Sequence, residues 1–315
     1  MKIITLTLNP AFDIHCNAPN LTLHRENLAE ITFRDAGGKG INISRALIRN
    51  GVPSTAFVVI GEENGDLFRS CLRRDGVPYH ELTVPGRIRE NLTLHTQDAD
   101  ETRISFPGFY ASDALIDQLE ALLLPLLDNE TVLTLTGRNP AGITMDRILS
   151  LLNTLKSKGG KIVIDSRSFQ KEDLFRASPW LIKPNEEEIR EYTNIAVKNL
   201  ADAAEASRYL RSRGIENVMI SLGAQGAVLA SPNGVYLARA PKLSVRSTIG
   251  AGDSAIAGFL AALSQSSDPA EWLQNAVAFG SAACLTEGTR PPFPEDVEQL
   301  RGRITVEPLS DFDTN

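Results

Sequence analysis

Two glycines and a carboxylate stand together near the C-terminal end of the chain, in Gly250-Ala251-Gly252-Asp253. The apolar, alanine-rich run that follows them predicts a buried helix beginning near Gly252. The first turn of a helix offers unpaired backbone N–H groups and the positive end of the helix dipole, so this segment can hold a phosphoryl group. Asp253 then has two interpretations: a general base that takes a proton from a hydroxyl, or an ordinary helix-start carboxylate.

A second glycine-rich turn occurs near the N-terminus, in Gly37-Gly38-Lys39-Gly40. Its glycines permit the backbone to approach a ligand closely, Lys39 adds a positive charge, and Asn42 adds both a donor and an acceptor. The segment predicts a turn that enters a helix ending at Asn50-Gly51. Its spacing differs from that of the Walker A loop, so the turn alone identifies no nucleotide site.

Polar residues follow several predicted strands. Asp13 comes after the first strand, residues 3–8, and Lys183, Asn185 and Glu188 come after a later one. Because ligands bind outside the carboxyl ends of strands in open α/β sheets, these side chains are candidates for a shared site, although Asp13 also suits a turn. Asn185 and Glu188 lie three apart on a first helical turn, where they either help to hold hydrated Mg²⁺ or cap the helix.

Arginines and glycines elsewhere also admit two interpretations. Arg87 and Arg89 lead a predicted strand and either clamp an anion or solvate a sheet edge, and Arg138 follows another strand. Gly223 and Gly226 lie in a turn between strands that either leaves room for a planar base or is only structural.

Strands and helices alternate along most of the chain, which predicts a mostly parallel sheet with helices on both faces. The predicted strands are 3–8, 55–60, 131–136, 161–165, 180–183 and 217–222, and the predicted helices are 64–75, 112–124, 144–157, 170–176, 186–192 and 200–213.

Three further segments alternate apolar and polar residues and predict amphipathic strands: 28–35, 89–96 and 101–106, with a polar turn at Asp98-Ala99-Asp100. They form two insertions, at about 12–35 and 87–106, into an α/β domain that we take as 1–315. We expect a small antiparallel sheet that lies over the main sheet edge as a lid. A homodimer through the lid would cover any apolar face left open.

The composition excludes several classes of function. The 315 residues carry a net charge of −7, so nucleic acid and anionic membrane surfaces are not expected partners. The three cysteines lack a Cys-x-x-Cys spacing and predict reduced thiols, and the four histidines are scattered and predicted to be structural or exposed: Cys16, Cys71, Cys284, His15, His24, His80 and His95. The first strand begins too early for a signal peptide, so we expect a soluble, cytoplasmic protein.

The two glycine-rich motifs, taken in order, resemble the two characteristic motifs of the ribokinase-like sugar kinases, the phosphofructokinase B group. Between them lie two further similar segments, 181–186 and 221–226, and the resemblance extends from about Ile3 to Thr289. Within the group the chain is similar to the kinases of fructose 1-phosphate and of tagatose 6-phosphate. The segments that carry this similarity are 7–13, 87–91, 107–109 and 179–185.

The resemblance implies that the γ-phosphoryl group of ATP is transferred, with Mg²⁺, to a primary alcohol of a sugar phosphate. It implies that Asp253 is the base and that Gly250, Ala251 and Gly252 form the anion hole. The implied sugar-phosphate ligands are Asp13, Gly37, Gly38, Lys39, Asn42, Arg87, Arg89 and Arg138. The implied nucleotide-side residues are Lys183, Asn185, Ser221, Gly223, Gly226 and Asn275, with Glu188 binding Mg²⁺ through water.

Three positions depart from the family pattern. Arg138 stands where the family usually has a serine, Leu28 where many members have an arginine, and Thr93 where a lysine is common. We hypothesise that Arg138 supplies a phosphate contact in place of one that a basic side chain makes elsewhere in other members.

The expected reaction is fructose 1-phosphate to fructose 1,6-bisphosphate. The alternatives are a tagatose-6-phosphate or fructose-6-phosphate kinase, and a sugar-phosphate sensor without catalysis. An unphosphorylated substrate is less favoured because Lys39, Arg87, Arg89 and Arg138 suit an anion.

Overall fold

The computed structural model describes residues 1–97 and 101–309. The turn predicted at residues 98–100 lies outside the described residues.

Fourteen strands occur within the two described ranges. They are β1 (Lys2–Thr7), β2 (Ala11–Asn17), β3 (Glu30–Gly37), β4 (Thr55–Gly61), β5 (Tyr79–Val84), β6 (Arg89–His95), β7 (Glu101–Ser105), β8 (Thr131–Thr136), β9 (Lys161–Asp165), β10 (Leu181–Ile182), β11 (Asn217–Ser221), β12 (Ala227–Ser231), β13 (Gly234–Ala238) and β14 (Val306–Leu309).

Ten α-helices occur in the same ranges. They are α1 (Lys39–Arg49), α2 (Gly65–Arg74), α3 (Ala114–Leu123), α4 (Met145–Ser157), α5 (Lys171–Ala177), α6 (Glu186–Thr193), α7 (Leu200–Ser212), α8 (Ala251–Leu263), α9 (Pro269–Ala283) and α10 (Pro294–Arg301). Within residues 1–97 and 101–309, none of these helices has the length and apolar character needed to span a bilayer.

The main sheet has ten strands in the order β14-β13-β12-β11-β10-β9-β8-β1-β4-β5. The strands from β11 to β5 pair in parallel, and β12, β13 and β14 extend the sheet in antiparallel fashion. The prediction of a mostly parallel sheet is confirmed. The parallel strands end at one edge, and that edge carries the polar residues described below.

Helices cover both faces of this sheet, as predicted. Neighbouring residues of β8 belong to two different apolar cores: Val132 packs with α1, α8 and α9, whereas Leu133 packs on the other side with α3 and α4. Adjacent side chains of a strand point to opposite faces, so the two cores lie on the two sides of the sheet.

A separate four-stranded sheet, in the order β3-β2-β6-β7, forms the lid. The predicted strands 28–35, 89–96 and 101–106 correspond to β3, β6 and β7, whereas β2 was not predicted. The expectation of a wholly antiparallel lid was wrong, because β2 and β6 pair in parallel from Ala11–Arg89 to Asn17–His95. Strands β2 and β6 follow β1 and β5, which run in the same direction in the main sheet, so both insertions leave the sheet in the same direction.

Two histidines that appear scattered in the sequence meet in the lid. The Nδ1 atom of His15 lies 3.0 Å from Nε2 of His95, and the His15 ring stacks on Phe33 with centroids 4.1 Å apart. Burial and the neighbouring His95 both lower the pKa of His15. The interaction has the structural role predicted for these histidines.

Candidate active site

The two glycine-rich motifs meet at the cleft where helices α1 and α8 begin. The amide Nδ2 of Asn42, in the first turns of α1, donates a hydrogen bond of 2.9 Å to Oδ2 of Asp253 in the first turn of α8. Both side chains are buried, although 211 residues separate them in the chain. The structure therefore joins the motifs into one site.

Asp253 is in an environment that favours proton uptake. Burial is the main cause that raises its pKa to about 6; the negative charge of Asp165 adds to it, while Lys39 and the Asn42 hydrogen bond oppose it. A carboxylate with such a pKa is ionised at neutral pH and accepts a proton more readily than an exposed aspartate does. The group can therefore act as a general base.

Both helices begin after glycines that leave their first N–H groups without a side-chain cap. Gly250 precedes α8 with a φ of +79°, and Gly38 precedes α1 with a φ of +130°. These backbone angles favour glycine over residues with a side chain. No side chain caps either helix, so N–H groups in both first turns are available to an anion, although the Ala251 N–H also donates a 3.3 Å hydrogen bond to the Thr248 carbonyl.

A buried carboxylate links the two predicted lysines. Lys39 donates a hydrogen bond of 2.9 Å to Oδ1 of Asp165, and Nζ of Lys183 lies 3.6 Å from Oδ2 of the same carboxylate. Burial alone would raise the pKa of Asp165, but the charges of Lys183 and Lys39 outweigh it and hold this pKa below its usual value. Asp165 therefore remains ionised and holds both lysines in the cleft.

Lys183 also lies beside the α8 N-terminus. A Cβ built on Gly252 would lie 3.2 Å from the Lys183 Nζ atom, so this glycine leaves the ammonium group room to stand against the helix end. An ammonium group and a helix N-terminus at one place form a strongly positive site.

Asn185 and Glu188 form a reciprocal cap at the start of α6. Asn185 Oδ1 accepts a 2.9 Å hydrogen bond from the Glu188 N–H, and Glu188 Oε2 accepts a 3.1 Å hydrogen bond from the Asn185 N–H. Arg167 also lies 3.2 Å from Glu188 Oε1. The capping interpretation of this pair is thus observed, and Glu188 also lines a cavity of about 10 Å³ together with Asp165 and Lys183.

Asp13 projects from lid strand β2 onto the glycine-rich turn. A Cβ on Gly37 would lie 2.1 Å from Asp13 Oδ2, so only glycine permits this approach. Asn91 on β6 donates a 3.0 Å hydrogen bond to Asp13 Oδ1. Burial raises the pKa of Asp13, while the Asn91 hydrogen bond and the charges of Arg89 and Arg45 oppose the rise.

The three predicted arginines are not all in one place. Arg89 donates long hydrogen bonds of 3.4 Å to the Asn9 carbonyl and to Asn91, and burial and the nearby charge of Arg138 lower its pKa. Arg138 is exposed and has no hydrogen-bonding or ion-pair partner among the described residues. The charge of Arg138 thus acts on Arg89, whereas Arg87 lies 3.9 Å from Glu63 and from Glu90.

The remaining predicted nucleotide-side residues fall into two places. Ser221 bridges to Asn185 at the end of β11, and Gly223 and Gly226 occupy the tight turn that follows, both with positive φ. Asn275 lies buried between α8 and α9, where its amide donates a 2.8 Å hydrogen bond to the Gly258 carbonyl. Ser221 therefore lies beside the Lys183–Asn185 segment. The Asn275 amide instead makes its hydrogen bond between α8 and α9.

One family model matches most of the chain. It is described as pfkB family carbohydrate kinase, and it matches residues 7–296, a range that includes both glycine-rich motifs. The chain belongs to the pfkB family of carbohydrate kinases.

Relatives of this pfkB kinase match it along nearly its whole length. A 1-phosphofructokinase of Vibrio cholerae is 31% identical over 308 residues, 98% of this chain and 97% of that protein. A 1-phosphofructokinase of Bacillus subtilis is 31% identical over 313 residues, 96% of this chain and 99% of that protein. Membership of the family makes the chain a phosphotransferase that acts on an alcohol group of a carbohydrate.

The fold is also that of a solved pfkB-type kinase. A crystal structure of phosphofructokinase-2 from Escherichia coli in complex with potassium superposes with a TM-score of 0.89. It is 27% identical in sequence, and the match covers 96% of this chain and 98% of that one. The ribokinase-like architecture predicted from the sequence is confirmed.

Asp165 was not among the predicted site residues, although it is a polar residue at the end of a strand, β9, which is a signal that could have found it. The structure joins it to both predicted lysines. Buried hydroxyl oxygens of Thr7, Thr136 and Thr289 also lack hydrogen-bond partners among the described residues. Thr7 and Thr136 end β1 and β8, and the Cα of Thr289 lies 3.5 Å from a Cβ built on Gly250.

Proposed function

We propose that this pfkB kinase transfers the γ-phosphoryl group of ATP to the primary alcohol of fructose 1-phosphate, giving fructose 1,6-bisphosphate and ADP. The observation that carries the proposal is the hydrogen bond between Asn42 and Asp253 beside two uncapped helix N-termini. It joins a base to an anion site in one cleft, as phosphoryl transfer requires. The names of the relatives from Vibrio cholerae and Bacillus subtilis support the choice of sugar.

Asp253 takes the proton of the attacking hydroxyl in this proposal. The N–H groups of Gly250, Ala251 and Gly252 stabilise the charge that develops on the transferring group, since no side chain caps this helix end; the Ala251 N–H also donates a 3.3 Å hydrogen bond to the Thr248 carbonyl. Lys183 adds a positive charge at the same place. Catalysis then rests on positioning and on electrostatic stabilisation, with no covalent intermediate on the protein.

The sugar lies between the lid and α1. Asp13 accepts hydrogen bonds from sugar hydroxyls, and the backbone of Gly37 and Gly38 lies against the sugar. Asn42 uses its Nδ2 on Asp253, and its buried Oδ1 lacks a partner among the described residues, so this oxygen is left to accept from a hydroxyl. Lys39, half-buried beside Asp165, completes this side of the site.

The phosphate of the substrate binds between Arg89 and Arg138. Neither guanidinium has a carboxylate partner within ion-pair distance among the described residues, and their mutual repulsion leaves a place where a dianion is favoured. This arrangement supports the hypothesis that Arg138 replaces a phosphate contact. Arg87 was predicted as a third ligand of the substrate phosphate. Its neighbours in the structure are the carboxylates of Glu63 and Glu90, so this role stays a prediction.

The nucleotide lies on the other side of the α8 N-terminus. Lys183 and Asn185 face its phosphates, and Ser221, Gly223 and Gly226 border the adenosine, since the turn after β11 adjoins the Lys183–Asn185 segment. Asn275 contributes through the packing of α9 on α8, because its amide is bound to Gly258.

The acidic groups of the cleft fit a magnesium ion that is held mainly by phosphates and water. In residues 1–97 and 101–309, no group of three or more His, Cys, Asp or Glu side chains is arranged to hold a metal ion. Mg²⁺ commonly uses one or two carboxylates and keeps several waters. Buried Asp165 Oδ2 makes no hydrogen bond within those ranges but faces the Lys183 ammonium group at 3.6 Å, so the charge of this carboxylate is already balanced by lysines. Glu188 would therefore hold the ion through water, and the ion would neutralise charge on the nucleotide phosphates.

The enzyme acts as a homodimer through the lid. Apolar side chains are exposed on the lid and its loops, with Leu28 at 82%, Leu23 at 74% and Ile31 at 54% exposure. A groove of about 630 Å³ beside Leu28 and His95 offers space for a partner side chain. We place the reaction in the cytoplasm, where ATP is present and the thiols of Cys16, Cys71 and Cys284 stay reduced.

The proposal is tested by measuring ADP release with ATP and Mg²⁺ on fructose 1-phosphate, fructose 6-phosphate and tagatose 6-phosphate. We expect the highest kcat/KM for fructose 1-phosphate. A preference for either 6-phosphate would contradict the substrate assignment and leave the base and the anion site in place. Absence of ADP formation with all three sugars would contradict a catalytic role.

The phosphate site is tested in the same assay with Arg138→Ala. We expect KM for the sugar phosphate to rise by about tenfold, the effect of losing one charge-assisted hydrogen bond, while KM for ATP is unchanged. Arg176→Ala is the matched control, because Arg176 is exposed on α5 and paired with Asp146. An unchanged KM in Arg138→Ala would contradict the proposed phosphate site.

A further inference from the structure

Four charged side chains connect the lid to two helices of the main domain. Arg74, the last residue of α2, lies 2.5 Å from Asp35 on lid strand β3 and 2.9 Å from Asp75. Asp75 in turn lies 3.1 Å from Arg45 on α1. The Arg45, Asp75 and Asp35 side chains are largely buried, at 7%, 13% and 10% exposure, whereas Arg74 is about half exposed at 54%.

This charge network stands directly beside the sugar side of the cleft. Asp35 is paired with Asp13 in the β2–β3 register, so the two carboxylates lie next to each other on the same face of the lid. Two residues after Asp35, the strand reaches Gly37, on which Asp13 rests. Movement of β3 at Asp35 would displace both the carboxylate and the glycine turn.

The network also sets the charge around Asp13. The charged groups that act on Asp13 are Arg89 from β6, Arg45 from α1 and Asp35 from β3, and Asn91 on β6 adds a hydrogen bond. Asp35 raises the pKa of Asp13 and Arg45 lowers it. Arg74 neutralises Asp35 and thereby limits the repulsion between two adjacent carboxylates.

We propose that the Arg45–Asp75–Arg74–Asp35 network positions lid strand β3 and keeps Asp13 ready to bind the sugar hydroxyls. Arg74 and Asp35 are positioning residues, since they act through Asp13 and do not touch the substrate themselves. The inference rests on the role given to Asp13 in the proposed function, and its test separates the two.

The test measures sugar-phosphate affinity by titration calorimetry as a function of pH, for wild type, Arg74→Gln and Asp35→Asn. The titrant is fructose 1-phosphate, or the 6-phosphate if that is the sugar that the wild-type enzyme phosphorylates. With this choice of titrant, an error in the substrate assignment is detected with the wild-type enzyme and does not affect the comparison of the variants. The ionisation of the sugar phosphate itself is common to all variants and cancels in the comparison.

The two substitutions should move the pH dependence in opposite directions. Arg74→Gln leaves Asp35 unneutralised, so the pKa of Asp13 rises. As the pH is lowered, Asp13 then becomes protonated, and sugar affinity falls, at a higher pH than in wild type. Asp35→Asn removes the repelling charge, so the loss of affinity shifts to a lower pH. At neutral pH we expect Arg74→Gln to weaken sugar binding by about tenfold, the size of couplings within one charge network, with KM for ATP and kcat nearly unchanged.

Arg73→Gln is the matched control, because Arg73 is the preceding, exposed residue of α2 and contacts Ser70 at 3.3 Å. Thermal unfolding of all variants reports any general loss of stability. Shifts in the same direction for Arg74→Gln and Asp35→Asn, or equal effects of Arg74→Gln and Arg73→Gln, would overturn the positioning role. Tight, wild-type-like sugar binding by Asp13→Asn would overturn both this role and the assignment of Asp13 as a hydroxyl ligand.

Discussion

Two aspartates in the cleft have opposite tendencies to bind a proton. Asp253 has a pKa raised to about 6, mainly by burial, whereas the lysine charges at Lys183 and Lys39 hold the pKa of Asp165 low in spite of its burial. Neighbouring carboxylates whose pKa values are driven apart commonly divide acid–base and electrostatic roles. Asp253 is accordingly suited to proton transfer, and Asp165 to holding positive charge.

The pKa of Asp253 predicts how activity depends on pH. A base must be deprotonated to work, so kcat measured at saturating substrates should fall as the pH drops through about 6. Asn42→Ala removes a hydrogen bond that lowers this pKa, and the fall should then begin at higher pH.

Asp253→Asn should lower kcat by a factor on the order of 10² or more. Near-normal turnover in Asp253→Asn, or an unshifted profile in Asn42→Ala, would show that another group is the base.

The first turn of α1 is held directly against the end of β1. A Cβ on Gly40 would lie 2.5 Å from Thr7 Oγ1 and 2.9 Å from the Leu6 carbonyl oxygen, so the space between helix and strand has no room for a side chain here. The contact fixes the helix that carries Lys39 and Asn42. The positions of Lys39 and Asn42 therefore depend on glycine at residue 40, which has no Cβ.

Gly40→Ala should destabilise the protein by about 1–3 kcal/mol, because the added methyl group has no space without displacement of the helix. We also expect a higher KM for the sugar phosphate. Gly302→Ala is the control, since the nearest atom to a Cβ there is 3.8 Å away. Denaturant unfolding measures both variants, and a Gly40→Ala protein as stable as Gly302→Ala would refute the tight-contact explanation.

At the scale of the whole molecule, the lid exposes apolar side chains that none of the other described residues covers. Leu28, Ile31 and Phe106 are 82%, 54% and 50% exposed, while the other parts of the lid meet the main domain through contacts such as that of Phe33 with Gly288. Contiguous exposed apolar surface on a folded protein usually marks an interface. A dimer formed there would also stabilise the lid over the cleft.

Leu28→Asp should therefore convert a lid dimer to a monomer, because it introduces a charge into the proposed interface. Leu67→Asp is the control, since Leu67 is 45% exposed on α2, outside the lid. Sedimentation velocity at equal protein concentrations measures the oligomeric state of both. The same mass for wild type and Leu28→Asp would contradict the proposed interface.

Much of this protein could be predicted from local sequence. The predicted helix ending at Asn50-Gly51 is α1, the predicted strand 161–165 coincides with β9, and the alternation of elements predicted the parallel sheet. These features depend on side-chain periodicity and on residues that begin or end an element, which act within a few positions of the chain. The same is true of the two glycine-rich motifs, whose turns at Gly38 and Gly250 have backbone angles that favour glycine.

The tertiary structure alone decided which side chains meet. The contacts of Lys39 with Asp165 and of Arg74 with Asp35 join residues 126 and 39 positions apart. The parallel pairing of β2 with β6 likewise depends on where two distant insertions leave the main sheet. Such contacts arise from packing of whole elements, and their electrostatic effects arise from burial, so no local pattern in the sequence encodes them.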